Sequence, residues 1–113
     1  MAWFTLKGWT MDYIKVEVFV PDKDKWRVLD TLNDKEFLKD DGYDSVFAES
    51  KVIGHFTPLE GSDPDIGNIS DHTTVDEVKL EFRIKAEDKD EVYKTIKASH
   101  PYEVPVINFF KLI

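Results

Sequence analysis

The chain contains no cysteine among its 113 residues. This absence excludes disulfide bonds, thiolate zinc sites and cysteine nucleophiles, and it agrees with a reducing cytoplasm, where we expect the protein to be. No apolar run approaches the ~20 residues that cross a membrane as a helix. The first ten residues also lack the basic and apolar regions of a secretory signal peptide. We therefore expect no membrane partner.

Basic residues are few relative to acidic ones. Fifteen Lys and Arg stand against 23 Asp and Glu, which gives a net charge of −8. Proteins that bind nucleic acid use clustered Lys and Arg to neutralise phosphates, so we expect no nucleic acid partner. The length is that of one domain, large enough to bury a core without covalent cross-links.

Two segments alternate apolar and charged side chains with the period of two that is typical of a half-buried strand. They cover residues 14–20 and 78–85. Residues 43–57 predict a further long strand, with a bulge or a bend at 49–51. Residues 102–112 predict the last strand.

Two helices are predicted between these strands. The first begins near residues 22–24, where an Asp side chain is placed to cap it. Its apolar face comprises Trp26, Val28, Leu29 and Leu32. The second begins at Asp88 and Glu91, which have the spacing of a capping box, and it turns Val92 and Ile96 inward.

The order of elements is therefore β-α-β-β-α-β. Because the alternating strands give the sheet only one apolar face, both helices must cover that face. The pattern predicts an α+β fold, a ferredoxin-like βαββαβ sandwich in which an antiparallel sheet carries two helices on one face. The opposite face carries charged side chains that we expect to pair between neighbouring strands.

We divide the chain into an N-terminal aromatic extension at residues 1–12 and a domain at residues 13–113. The extension contains four large apolar side chains, Trp3, Phe4, Leu6 and Trp9. An apolar strip of this size is expected to pack, either on the domain's own surface or on a neighbouring subunit. Met11 is an alternative to Met1 as the natural start.

The segment 100–105, His-Pro-Tyr-Glu-Val-Pro, joins the second helix to the last strand. An imidazole and a carboxylate supply nitrogen and oxygen ligands for a divalent metal, so one hypothesis is a metal or small-molecule site at a subunit junction. Its candidate residues are His55, Glu60, His100, Tyr102 and Glu103. The favoured alternative is structural: His100 is a cation near the carbonyls that end the helix, and Pro101 stops that helix.

Residues 58–74 are rich in turn formers and longer than most loops. One hypothesis is a loop that binds a ligand or a partner. The alternative, which we favour, is a turn-rich loop that packs Leu59 and Ile66 onto the domain.

Two stretches carry a family resemblance. They are residues 42–67, which include Gly54-His55-Phe56-Thr57-Pro58-Leu59-Glu60-Gly61, and residues 99–105. Together they resemble the domain inserted in many bacterial members of the NGG-one-interacting-factor-three-like family, the dinuclear-metal-centre proteins also named GTP cyclohydrolase type 2-like. Residues 100–105 also resemble the CutA divalent-cation tolerance family, which implies a ferredoxin-like fold and a trimer.

The sequence departs from this family in two ways. Thr57 stands where the inserted domain usually has Arg, so an anion-pairing role of that Arg is not implied. The metal-binding hydrolase domain of the larger family has no counterpart in this sequence, so its activity is not implied either.

No set of residues marks a catalytic site, and we expect a protein that is not an enzyme. The expected function is a non-enzymatic oligomeric module of the binding or regulatory kind, and the alternative is a divalent-metal-binding protein of cation-tolerance type. We expect a homo-oligomer, a trimer rather than a dimer, with an unknown small ligand. We expect no cofactor, with a divalent metal as the exception that the residue types leave open.

Overall fold

The computed structural model describes residues 12–113, so the predicted aromatic extension lies outside the described residues except for Asp12. Four strands and two helices follow in the predicted order. A short 3-10 turn precedes each helix, at Asp22–Asp24 and at Ala86–Asp88. The elements are β1 (Tyr13–Pro21), α1 (Lys25–Asp34), β2 (Ala48–Phe56), β3 (Thr73–Lys85), α2 (Lys89–Ser99) and β4 (Ile107–Lys111).

The four strands form one sheet in the order β2-β3-β1-β4, and every neighbouring pair is antiparallel. The register places Val18 opposite Leu80 and Val16 opposite Phe82, so the apolar residues of β1 and β3 share a face. The two helices cover that face. The prediction of a ferredoxin-like α+β sandwich is therefore confirmed.

The core lies between this apolar face and the helices. Its fully buried members from α1 and α2 include Val28, Leu32, Val92 and Ile96. Trp26 was predicted on the same helical face, and this prediction is wrong, since its side chain is 53% exposed. At 3.6 residues per turn, Trp26 points about 115° away from the centre of the helix face that carries the buried residues of α1. Its ring contacts Phe47 edge-on instead, with 5.9 Å between the ring centroids.

The predicted side-chain caps are wrong for both helices. Neither Asp24 nor Asp88 makes a side-chain cap hydrogen bond. The 3-10 turns supply the acceptors instead: the N–H of Lys25 donates to the Asp22 carbonyl, and the N–H of Lys89 donates to the Ala86 carbonyl. The first N–H groups of a helix have no acceptor within the helix and often bind a capping side chain. Here a backbone carbonyl of the preceding turn accepts one of these hydrogen bonds instead.

Two of the predicted strands are shorter than expected. The second starts at Ala48 rather than at residue 43, and its pairing with β3 continues without a bulge through residues 49–51. The residues before it form turns, with positive φ at Gly42 and Ser45. The last strand starts at Ile107, and bends occupy residues 101–104.

The hairpin formed by β2 and β3 extends beyond the rest of the sheet. Residues 77–85 of β3 pair with β1, whereas residues 73–76 pair, among residues 12–113, only with β2. On the face without helices, Lys15 Nζ lies 2.9 Å from Glu81 Oε2, which confirms the expected pairing of charges between strands. No helix within residues 12–113 is long and apolar enough to span a membrane.

Candidate functional site

The segment from residue 101 to 106 and the loop at the tip of the hairpin enclose a cavity of about 480 Å³. The register places Phe19, Gly54 and Glu77 on the face of the sheet that the helices leave uncovered. These three residues line the cavity together with side chains from the two irregular segments. The residues of these segments include Pro64, Asp65, Ile66, Tyr102, Glu103, Val104 and Val106, and His55 of β2 also borders the cavity.

His100 fixes the start of the first of these segments. It is 6% exposed, its Nε2 lies 2.6 Å from the carbonyl oxygen of Phe19, and its Nδ1 lies 3.1 Å from the backbone nitrogen of Tyr102. Nε2 donates and Nδ1 accepts in the neutral tautomer that satisfies both bonds. Neither nitrogen is then free to bind a metal.

Burial also lowers the pKa of His100 below its ordinary value. Desolvation outweighs the hydrogen bond to the Phe19 carbonyl and the nearby carboxylates of Glu77 and Asp24, all of which favour the cation. The interpretation of His100 as a cation at the end of the helix is therefore wrong. The predicted end of the helix before Pro101 is confirmed, because α2 ends at Ser99.

Tyr102 and Glu77 form the polar part of the cavity wall. The Tyr102 hydroxyl donates to Glu77 Oε2 at 2.9 Å, and Glu77 is 9% exposed. Desolvation and the adjacent carboxylate raise the pKa of Tyr102 well above its ordinary value, so the phenol stays protonated and remains a donor. Gly54 makes room for the carboxylate, since a Cβ at this position would overlap Glu77 Oε1.

Glu103 connects the two irregular segments. Its Oε1 accepts a hydrogen bond from the backbone N–H of Asp63 at 3.2 Å. Among the described residues, Glu77, Asp65 and Glu103 take part in no ion pair, and neither Lys nor Arg lines the cavity. The cavity therefore combines a mainly apolar wall with three carboxylates that lack a cationic partner.

The predicted site residues divide into two groups. Four of them, His55, His100, Tyr102 and Glu103, lie at the cavity or support its wall. Glu60 is exposed and does not line the cavity. Within residues 12–113, no group of three His, Asp or Glu side chains is placed to hold a metal ion.

The structure also corrects the interpretation of the loop. Leu59 was predicted to pack onto the domain but is 70% exposed, whereas Pro58 is buried and Ile66 lines the cavity. Two residues that sequence reasoning missed are Glu77 and Gly54. Glu77 occupies an ordinary polar position in an alternating strand, and the signal that could have found it is a glycine within the neighbouring strand.

No family model matches the chain. The GTP cyclohydrolase 1 type 2 homolog of Staphylococcus epidermidis is 37% identical over 100 residues, which are 88% of this chain and 27% of that protein. The corresponding protein of Staphylococcus aureus is 36% identical over the same shares. The chain thus spans about a quarter of the length of the curated relatives that it matches.

Solved structures show the same relationship. A Bacillus cereus protein related to NIF3 matches with a TM-score of 0.79 and 27% identity, over 95% of this chain and 27% of that chain. The divalent ion tolerance protein CutA1 of Ehrlichia chaffeensis matches with a TM-score of 0.68 over 91% of this chain and 83% of that chain. At 13% identity this second likeness concerns the fold alone. The chain is a relative of one domain-sized segment of the NIF3-related GTP cyclohydrolase 1 type 2 homologs, and its fold is that of the CutA proteins.

Proposed function

We propose that this domain is a non-enzymatic binding module and that its ligand is a small organic cation with an apolar body. The observation that carries the proposal is the cavity with three carboxylates, Glu77, Asp65 and Glu103, and neither Lys nor Arg among the described residues of its wall. Its volume of about 480 Å³ is within the usual range of small-molecule sites. An apolar wall with a few convergent polar groups is also typical of such sites.

The chemistry of the wall favours a positive charge on the ligand. A buried carboxylate gains most from a cation that replaces its lost water. The rings of Phe19 and Tyr102, which also line the cavity, present faces that attract ammonium groups. An anionic ligand would meet three negative charges at short range and is not expected to bind.

The test is a screen of small primary and quaternary amines, each paired with a neutral isostere, monitored by the thermal midpoint and by calorimetry. Amines should raise the midpoint and their neutral isosteres should not. Glu77→Gln keeps the shape of the side chain and removes the charge, so it should weaken the preference for amines. If neutral isosteres bind as tightly as amines, or if no amine binds, the proposed ligand class is wrong.

The second part of the proposal is a homo-oligomer, a trimer rather than a dimer, as the resemblance to the CutA family implies. Its structural support is the edge strand β2, whose outer side pairs with no other strand among residues 12–113. Ile53 on this strand is 64% exposed. Unpaired edges with apolar side chains are common sites of association between chains. Light scattering at micromolar concentration should give the mass of a trimer, and a monomer would contradict this part.

The cytoplasmic location remains a prediction from the absence of cysteine. The alternative function, a divalent-metal-binding protein of cation-tolerance type, loses one of its expected ligands because both ring nitrogens of His100 are engaged. A metal site would have to use other residues.

A further inference from the structure

Two exposed histidines face each other on the projecting hairpin. His55 lies next to the last residue of β2, and His72 directly precedes β3. Nδ1 of His55 is 3.1 Å from Nε2 of His72, the ring centroids are 5.3 Å apart, and the rings are inclined by 47°. The two residues are 17 positions apart in the sequence, so the fold of the hairpin creates this pair.

The register explains the contact. His55 pairs with Thr74, and His72 lies two positions before Thr74, so the two imidazoles form a diagonal pair on one face of the hairpin. This part of the hairpin extends beyond β1, because residues 73–76 pair only with β2. Both imidazoles are therefore accessible from solvent.

Backbone contacts hold the pair in position. The N–H of Ser70 donates to the carbonyl of Pro58 at 2.6 Å, which ties the two ends of the loop together. The hydroxyl of Thr73 donates to the carbonyl of Asp71 at 3.0 Å, which fixes the backbone on both sides of His72. A site whose donors are already in place loses less conformational entropy when it binds a ligand.

The distance between the two nitrogens suits a shared metal ion. Imidazole nitrogens bind zinc at about 2.0–2.1 Å, so two of them on one ion lie about 3.0 Å apart at a right angle and about 3.4 Å apart at the tetrahedral angle. The observed 3.1 Å falls between these values. We propose that His55 and His72 together bind one divalent transition-metal ion through Nδ1 of His55 and Nε2 of His72.

Binding changes the tautomers of the pair. Without a metal, one of the two facing nitrogens carries the proton and donates it to the other. With a metal, each ring carries its proton on the outward nitrogen, Nε2 of His55 and Nδ1 of His72. Neutral imidazoles therefore bind the ion without a net release of protons.

The ligands define the class of ion. No third His, Asp or Glu joins the pair within residues 12–113, so water completes the coordination of the ion. Imidazole nitrogen suits copper, nickel and zinc, whereas magnesium and calcium prefer oxygen ligands. Cu²⁺ should bind most tightly, Ni²⁺ and Zn²⁺ more weakly, and Mg²⁺ not measurably.

Calorimetric titration of the full chain with each of these four ions tests the site. We expect one Cu²⁺, Ni²⁺ or Zn²⁺ per chain. His55→Gln and His72→Gln should each weaken binding at least about tenfold, since loss of even an indirect metal contact costs about 10–100-fold. Asp76→Asn is the matched control, because Asp76 is an exposed carboxylate on the same face of the hairpin, and it should bind the ions like the parent protein.

Nitrogen NMR identifies the bound atoms. Zn²⁺ should shift Nδ1 of His55 and Nε2 of His72 and leave both nitrogens of His100 unchanged. The proposal is overturned if both glutamine variants bind Zn²⁺ like the parent protein, or if Asp76→Asn weakens binding as much as they do. Equal heats for Mg²⁺ and Cu²⁺ would also overturn it. This result is separable from that of the amine screen, because Glu77→Gln leaves both imidazoles in place.

Discussion

Acidification should destabilise the fold through His100. The imidazole is 6% exposed and neutral, and its Nδ1 accepts the N–H of Tyr102. A proton on Nδ1 would remove the acceptor and place two donors against each other. Desolvation further opposes the charge and lowers the pKa of His100 in the folded protein.

The sign of the effect follows from proton binding. The unfolded chain protonates this histidine near pH 6.5, and the folded protein does so only at lower pH. Between the two values the unfolded state binds more protons, so stability falls as the pH decreases below 6.5 and levels off below the folded pKa. One proton changes the free energy of unfolding by at most about 1.4 kcal/mol per pH unit.

Other charged groups near His100 modify the effect without reversing it. The carboxylates of Glu77 and Asp24 favour the cation, and Arg27 opposes it. The ion pair of Lys15 and Glu81 affects stability in a lower pH range. Lys15 lowers the pKa of Glu81 from 4.5, so the stabilisation by this pair is lost only as the pH falls below 4.5. Measurements between about pH 5 and 7.5 therefore span the ordinary pKa of histidine and stay above that of Glu81.

The assay is urea unfolding across this range, followed by far-ultraviolet circular dichroism. His55→Gln/His72→Gln serves as the background, so that His100 is the remaining histidine. His100→Gln in this background provides the comparison, because its amide offers a donor for the Phe19 carbonyl and does not titrate. Between about pH 5 and 6.5 the unfolding free energy should depend less on pH in this variant than in the background. If the unfolding free energy changes with pH by the same slope with and without His100, the argument is refuted.

Four further substitutions test the packing. Tyr102→Phe should cost about 1.5–3 kcal/mol in urea unfolding, because it leaves the buried Glu77 carboxylate without its donor. Gly54→Ala should cost about 1–3 kcal/mol, since the added methyl displaces that carboxylate, and a neutral result would contradict the overlap. Leu29→Ala should cost about 2–5 kcal/mol and Trp26→Ala clearly less, because Leu29 is 1% and Trp26 is 53% exposed.

The fold could be predicted because its signals are local. Alternating side chains define β1 and the part of β3 that pairs with it, and the face they bury requires two covering helices. The ends of the elements were less predictable. The last strand does not include Tyr102, because the N–H of Tyr102 binds the His100 ring instead of a neighbouring strand. Such competition between a side chain and a strand depends on contacts that the sequence does not display.

The candidate site was predicted only in part, for the same reason. His100, Tyr102 and Glu103 stand together in the sequence and could be found there. Glu77 is buried because Tyr102, 25 positions away, folds over it, and no local pattern records that contact. The contact between His55 and His72 depends on the register of the hairpin, which becomes known only with the length of its loop.

The segment 100–106 belongs to the core and to the cavity at once, so the two must be coupled. His100 fixes this segment to β1 through the Phe19 carbonyl, and Tyr102 and Val106 then line the cavity. A ligand that contacts these side chains binds the state in which His100 is neutral. By linkage, protonation of His100 must lower the affinity for that ligand, and the bound ligand must lower the proton affinity of His100 by the same factor.

A quaternary amine, whose charge does not change with pH, makes this coupling measurable. Its affinity should fall only as the pH decreases below 6.5 towards the lowered pKa of His100 in the folded protein, because the ligand binds the neutral form. The decrease should vanish in His100→Gln, although His100 itself does not line the cavity. If the parent protein and this variant lose affinity equally, then protonation acts on the cavity carboxylates or on His55, and the core and the cavity are not coupled through His100.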